Sequence, residues 1–239
     1  MRSLVIARRE IAAAFETPTG WVVLAMFPAI SAAVFFVLGP FFAVQEASLR
    51  GFFGNMPWLL AILAPALTMR SWAEERRAGT DELLLTWPFR VRELVWGKFL
   101  GAWAVLALAL AATAGVPITV AALGDLDLGP VLGGYLGTFL SGGASLAVGL
   151  FFSACTRSQI VAWLISVALL LILNLIGAAA TAAAMPPGIG RILLAVDLQT
   201  HFYAIARGVA DLRSMLHYAG VALIALCACG LIIERRRFA

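Results

Sequence analysis

Residues 70–98 read Arg70-Ser-Trp-Ala-Glu-Glu-Arg-Arg-Ala-Gly-Thr-Asp-Glu-Leu-Leu-Leu-Thr-Trp-Pro-Phe-Arg-Val-Arg-Glu-Leu-Val-Trp-Gly-Lys98 and hold eleven of the thirty charged residues of the chain. Long apolar segments lie on both sides of this stretch. A charged hairpin with a run of leucines between two apolar segments is typical of a loop that joins two membrane spans. We expect this loop to contact a partner in the cytoplasm.

The composition indicates an integral membrane protein. Hydrophobic residues make up 62% of the 239 residues and charged residues 13%, whereas soluble domains are about a quarter charged. A single globular core formed by 239 residues would still leave much of the protein surface in water, so it could not bury all of these hydrophobic residues. The three cysteines, Cys155, Cys227 and Cys229, have the spacing of neither a zinc site nor a disulfide framework. Met1–Glu16 lacks the pattern of a cleavable signal.

Six apolar stretches are long enough, or nearly so, to cross a bilayer. We predict helices and not strands, because these runs are continuous and lipid offers no partner to an open strand edge. Pro117 predicts a kink in the third span, and the fourth span is rich in glycine. The predicted spans are about 19–42, 53–69, 99–123, 131–154, 159–184 and 216–233.

The basic residues predict the orientation of these spans. With both termini in the cytoplasm, thirteen of the seventeen basic residues lie inside and four outside. We therefore predict six transmembrane helices with both termini cytoplasmic, in a single domain over residues 1–239. The four outside are Arg50, Arg191, Arg207 and Arg213.

Residues 1–17 predict an interfacial helix on the inner membrane face. Leu4, Val5, Ile11 and Phe15 can share an apolar side. Arg8, Arg9 and Glu16 then face the lipid headgroups. The alternative is a charged tail that only sets the topology.

Within 70–98, local signals predict a short transverse helix. The second span continues as helix through Arg77, and Gly79 ends it in the left-handed conformation that glycine tolerates. Thr80 is a candidate N-cap, and Pro88 ends the short helix. Asp81 and Glu82 occupy its first turn, and Leu83, Leu84 and Leu85 form its apolar body. The alternative is a solvated connecting loop, although such a loop should not expose three leucines. A second amphipathic piece, 91–98, leads into the third span.

The loop at 185–215 predicts one or two short amphipathic helices on the extracytoplasmic side. Its apolar residues repeat at helical spacing, as at Leu198, Phe202 and Ile205. His201 has no partner at ligand spacing. In the fifth span, Asn174 is expected to form an internal hydrogen bond.

No motif in the sequence predicts catalysis. The chain lacks a phosphate-binding Gly-rich loop, a His-Glu-x-x-His zinc motif and a Gly-x-Ser-x-Gly nucleophile motif. No span carries a pair of carboxylates for proton transfer, and the arginines lie at membrane boundaries and not on a nucleic-acid-binding face. We expect no catalytic residue, no metal site, no cofactor bound by this chain and no nucleic-acid partner.

These motifs, taken in order, resemble the ABC-2-type transporter permeases over nearly the whole chain. The loop signature is Ala73 to Pro88 followed by Gly97-Lys98, in which Glu75, Gly79, Thr80, Leu84 and Pro88 match the family pattern. Asp81 stands where another small or polar residue often precedes the leucines. Further segments are similar to the gliding-motility-type (GldF-like) branch: Thr17-Pro18-Thr19-Gly20, Pro65-Ala66-Leu67-Thr68-Met69-Arg70, Gly134-Tyr135-Leu136-Gly137 and Arg207-Gly208-Val209-Ala210-Asp211.

The resemblance implies an ABC-2 (type V exporter-like) permease fold in a bacterial inner membrane. It implies a dimer with a second permease copy or homologue, and two separate ABC ATPase subunits that bind ATP and Mg. The 80–88 segment would be the coupling helix seated on the ATPase. A periplasmic auxiliary membrane protein is a further expected partner.

Three functions remain open at this point. The first is an ATP-driven exporter of an unidentified substrate. The second is mechanical transmission to a periplasmic partner without substrate transfer, because the loops at 43–52 and 124–130 leave little vestibule. The third, a membrane enzyme or scaffold, has no motif in its favour.

Overall fold

The computed structural model describes residues 2–39, 41–44, 46–79, 90–182, 186–208 and 211–237, and these residues form helices and short connections without any strand. The N-terminal half contains α1 (Arg2–Glu16), α2 (Pro18–Ala33), a π-turn (Val34–Leu38), α3 (Phe41–Val44), α4 (Arg50–Thr68), α5 (Arg70–Ala78) and α6 (Val91–Ala112). The rest contains α7 (Gly115–Leu123), α8 (Leu128–Cys155), α9 (Gln159–Ala182), α10 (Pro187–Val196), α11 (Leu198–Ala206) and α12 (Leu212–Arg237).

Within the described ranges, six helical stretches are long and apolar enough to cross a membrane, which confirms the predicted number. The second continues as helix to Ala78, one residue past the predicted end at Arg77, and the third begins earlier than predicted because residues 91–98 are part of its helix. The predicted amphipathic piece 91–98 is therefore the first part of α6 and not a separate element. The six stretches are Gly20–Ala43, Arg50–Ala78, Val91–Leu123, Leu128–Cys155, Gln159–Thr181 and Leu212–Arg236.

The predicted kink in the third span is confirmed just before Pro117. α6 ends at Ala112, a turn follows at Thr113 and Ala114, and α7 begins at Gly115. Pro117 has no N–H to donate to the carbonyl of Thr113. The N–H of Val116 donates to that carbonyl instead, at 2.9 Å, which tightens the turn.

The glycine-rich helix α8 lies at the centre of the bundle, and every residue from 141 to 150 is buried. It packs against α4, α6, α11 and α12. A Cβ placed on Gly134 or Gly142 would lie 2.4 Å from the ring of Phe53 or 2.3 Å from Leu106, so only glycine admits these neighbours. The small residues of α8 thus allow close packing of helices within one subunit.

Two further expectations are confirmed. The 185–215 region forms the short helices α10 and α11, and the predicted apolar residues Leu198, Phe202 and Ile205 are buried. Asn174 donates from Nδ2 to the carbonyl of Leu170 at 2.8 Å within α9.

The bundle has two ends, which we name by their residues. The loop end carries Gly79 and Arg90, between which the charged segment lies. The far end carries Arg50, Pro130 and Arg207, where α4 and α8 begin and α11 ends.

Candidate functional site

At the loop end, α5 stops at Gly79 in the predicted left-handed conformation. Its backbone angles are φ 69° and ψ 13°, and its N–H bonds to the carbonyl of Glu75. The next ten residues, 80–89, lie outside the described residues. The predicted coupling residues among them are therefore not placed: Thr80, Asp81, Glu82, Leu83, Leu84, Leu85 and Pro88.

The chain re-enters at Arg90, and α6 has a defined start there. The N–H of Arg90 donates to Glu93 Oε2 at 3.0 Å, and the N–H of Glu93 donates to the carbonyl of Arg90 at 2.9 Å. This reciprocal pair satisfies donors that a helix start leaves free. The 80–89 segment is thus bounded by a left-handed glycine on one side and a capped helix on the other.

Lys98 lies beneath this boundary and joins three helices. Its Nζ donates to Glu75 Oε1 at 2.7 Å and to Glu10 Oε1 at 3.1 Å, while Lys98 itself is only 3% exposed. The ammonium also lies 4.9 Å from the centre of the Trp72 ring. A buried ammonium needs such partners because desolvation is costly. Glu75 in α5, Glu10 in α1 and Lys98 in α6 therefore form one charged cluster.

Sequence reasoning identified Glu75 but missed Glu10 and Trp72, the other two neighbours of Lys98. It treated Lys98 as a topology marker and as part of the Gly97-Lys98 motif. A lysine that interrupts the apolar start of a span is a signal for a buried charge, since a lysine in lipid needs a partner. The spacing of residues in the sequence does not identify which carboxylates pair with Lys98.

Helix α1 packs tightly on α6 through a side other than the one predicted to be apolar. A Cβ on Gly97 would lie 2.6 Å from Ile6, and a Cβ on Gly101 would lie 2.7 Å from Cβ of Glu10. The buried residues of α1 are Ile6 and Ala7. Of the side predicted to be apolar, Leu4 and Val5 are 64% and 68% exposed, and Ile11 and Phe15 are half-buried. The two glycines on α6, and not the hydrophobicity of α1 alone, select the face that docks.

Three further residues are predicted to lie at the membrane interface: Arg8, Arg9 and Phe15. Arg8 and Arg9 are exposed. Phe15 contacts the ring of Trp21 edge-on at 5.4 Å, and the Trp21 indole N–H donates to the carbonyl of Phe15 at 3.0 Å. These contacts fix the turn between α1 and α2.

Ser153 of α8 fastens the joint between α4 and α5. Its Oγ accepts the N–H groups of Trp72 and Ala73 at 3.1 and 3.2 Å and donates to the carbonyl of Met69 at 2.9 Å. In an uninterrupted helix these N–H groups would donate to backbone carbonyls. Because they donate to Ser153 instead, the helix is interrupted at Met69. The hydroxyl acts as an N-cap supplied by another helix. It ties the start of α5 to the central helix.

At the far end, His201 of α11 packs against residues of α12. Its ring stacks on His217 with centroids 4.1 Å apart, and its Nδ1 lies 3.1 Å from Ser214 Oγ. Ser214 in turn donates to Asp211 at 2.7 Å. This hydrogen bond lowers the pKa of the Asp211 carboxyl. The cluster fastens α11 to α12, and in the described part of the chain no three His, Cys, Asp or Glu side chains are arranged to hold a metal ion.

The bundle of membrane-length helices with a charged interruption after the second can now be compared with known families. The family model described as ABC-2 family transporter protein matches residues 4–218. The chain belongs to this ABC-2 transporter family. No curated protein matches the chain. This ABC-2 chain is thus a multi-pass membrane protein of the permease type, and membership implies association with ABC ATPase subunits.

Proposed function

We propose that this ABC-2 chain is the permease subunit of an exporter and that residues 80–88 form its coupling helix. The observation that supports this most is the Lys98 cluster, which joins α1, α5 and α6 directly beneath the boundary of that segment. A surface pushed or pulled by an ATPase needs rigid connections to the spans behind it. Glu75 and Gly79 hold the end of α5 from which the segment departs.

The proposed transmission follows two routes from the segment. Through Gly79 and α5, the charged cluster would pass motion to α1 and α6. Through the start of α5, Ser153 would pass it to the central helix α8. When two ATPase subunits close on ATP and Mg, paired coupling helices would move and tilt the spans.

The assembly and its placement are part of this proposal. The loop end and both termini face the cytoplasm of a bacterium, and the chain spans the inner membrane. It pairs with a second copy or a homologous permease and belongs to the gliding-motility-type branch, with a periplasmic auxiliary protein as a further partner. The distribution of arginines supports this orientation.

The test replaces Leu84 by Asp and Pro88 by Gly and measures co-purification of the ATPase. We expect the pair of changes to abolish association and stimulated ATPase activity, because an ATPase groove that accepts a leucine rejects a carboxylate. Leu128→Asp is the matched control, since Leu128 is 67% exposed at the far end. Unchanged association and unchanged stimulation of ATPase activity in the L84D/P88G protein would refute the coupling assignment.

Mechanical transmission without export is the second candidate. It is favoured by the short connections at 46–49 and 124–127 and by the filled centre of the bundle, where residues 141–150 are buried. A structure of the dimer in two nucleotide states separates the candidates. A continuous polar path at the dimer seam supports export, and a sealed seam with a docked periplasmic subunit supports transmission.

A further inference from the structure

The far end holds a cavity of about 290 Å³ between α4, α8 and α11. Its apolar wall includes Phe53, Gly54 and Pro130, and its polar rim includes Arg50, Tyr203 and Arg207. A Cβ added to Gly54 would touch the Tyr203 hydroxyl at 3.7 Å, so a larger side chain there would fill this space. The cavity is remote from the charged cluster at the loop end, and no step of the proposed coupling uses it.

The two arginines at this cavity have no ionic partner among the residues that the structure describes. The ion pairs between described residues all involve Lys98, at the loop end. Neither Arg50 nor Arg207 donates a hydrogen bond from its guanidinium to a described residue. The cavity lining contains no carboxylate. Three carboxylates, Glu46, Asp125 and Asp127, line a neighbouring cavity that shares Arg50 and Pro130 with this one. The cavity therefore presents two positive charges that its own walls leave unpaired.

Tyr203 adds a hydroxyl donor. Its oxygen accepts a hydrogen bond from Gln199 Nε2 at 3.2 Å, so its own proton remains available to a ligand. Guanidinium groups bind phosphate oxygens through paired, charge-assisted hydrogen bonds. The start of α4 at Arg50 adds the positive end of a helix dipole, which favours an anion further. These donors suit a phosphate group.

The surroundings of the cavity favour a ligand with apolar chains. The cavity lies where the membrane-length helices α4 and α8 begin, and a spanning helix meets the lipid headgroups at its ends. Phe53, Pro130 and Ala206 give the cavity apolar walls, and Tyr203 at its rim is 41% exposed. Apolar walls beside two arginines match an amphiphile whose phosphate enters the pocket while its chains stay in lipid.

We propose that Arg50, Arg207 and Tyr203 form a binding site for the phosphate headgroup of an anionic phospholipid at the far end. The proposed function contributes only the statement that this end faces away from the cytoplasm. Lipid binding needs no ATPase, so the site can be tested even if the coupling assignment fails. A chain that binds anionic lipid here but no ATPase would refute the coupling assignment alone.

The experiment titrates the purified full chain with dioctanoyl phosphatidylglycerol, dioctanoyl phosphatidylcholine and glycerol 1-phosphate, with bound ligand counted by native mass spectrometry. We expect phosphatidylglycerol to bind at least about tenfold more tightly than the other two, because only it combines a net negative phosphate with chains. The double variant Arg50→Gln/Arg207→Gln should lose at least about tenfold in phosphatidylglycerol affinity. Arg191→Gln/Arg213→Gln is the matched control, since both arginines are exposed outside the cavity.

A second variant tests the cavity without changing charge. Gly54→Leu fills the space beside Tyr203, and we expect it to weaken phosphatidylglycerol binding while both arginines remain. Equal losses in the two arginine pairs would mean general surface attraction and would overturn the site. Equal affinities for glycerol 1-phosphate and phosphatidylglycerol would assign the cavity to a soluble anion and overturn the proposal of a lipid site. Unchanged lipid binding with loss of a co-purifying protein in the Arg50/Arg207 variant would make it a protein-docking site.

Discussion

Lys98 shows how one buried charge can organise the end of a membrane bundle. It is 3% exposed, while Glu75 and Glu10 keep 19% and 24% of their side-chain exposure. Lys98 is thus the most completely desolvated of the three side chains, and the two carboxylates keep part of their exposure. Its ammonium also lies 4.9 Å from the centre of the Trp72 ring, which adds a cation–π contact.

Replacing Lys98 by Met tests this cluster at the residue scale. The change leaves two carboxylates facing each other without their cation, and we expect a loss of about 2–3 kcal/mol of stability, less than for a fully enclosed pair. Thermal unfolding in detergent measures it. Adding Glu75→Gln to Lys98→Met should restore part of the loss. An unchanged midpoint for Lys98→Met would show that the cluster is not a stabilising contact.

Ser153 provides a second test at this scale. Ser153→Ala removes the acceptor for the N–H groups of Trp72 and Ala73, and we expect a loss of about 1–2 kcal/mol, as for a lost helix cap. Hydrogen exchange at these two amides should accelerate. Ser166→Ala is the control, because Ser166 is equally buried but bonds only to Ala162 of its own helix, at 2.7 Å. Equal effects of the two changes would contradict the cross-helix cap.

At the scale of elements, the docking of α1 on α6 depends on two glycines spaced by one helical turn. Gly97 and Gly101 bring the backbone of α6 against Ile6, Ala7 and Glu10. Close approach then sets the distance between Glu10 and Lys98. A helix that only floated on the membrane surface would not fix this distance.

Gly97→Ala should displace α1, since the new methyl would meet Ile6 at 2.6 Å. We expect a net loss of about 1–3 kcal/mol from overpacking, despite the better helix propensity of alanine. The backbone amides of α1 should exchange faster. Gly230→Ala is the matched control in α12, where nothing lies within 4 Å of an added Cβ. That change should leave α1 unaffected, and faster exchange of α1 in both proteins would refute the docking role.

At the scale of the whole molecule, the proposed orientation makes the loop end cytoplasmic and the far end external. After the three native cysteines are replaced by alanine, single cysteines at Arg90 and Arg213, both exposed, report the two sides. We expect a membrane-impermeant thiol reagent to label Arg213→Cys in intact cells. Arg90→Cys should react only after permeabilisation. The reverse pattern would invert the topology and remove the coupling assignment.

The sequence alone predicted much of this molecule because the relevant signals are local. Twenty apolar residues make a span wherever they occur in the fold, so the number of spans follows from the chain. The left-handed end at Gly79 and the break before Pro117 follow from the backbone chemistry of glycine and proline. The membership of the ABC-2 family, matched over residues 4–218, agrees with the motifs read in order.

Only the tertiary structure decided which distant residues meet. Lys98 and Glu10 are 88 positions apart, and Ser153 and Trp72 are 81 apart. The face of α1 that docks, the stacking of His201 on His217 and the meeting of Arg50 with Arg207 at one cavity likewise arise from how the helices pack. Periodicity determines that a segment is a helix and which faces are apolar. It carries no information about which neighbour a face, or a buried charge, will find, because that depends on the shapes of several helices at once.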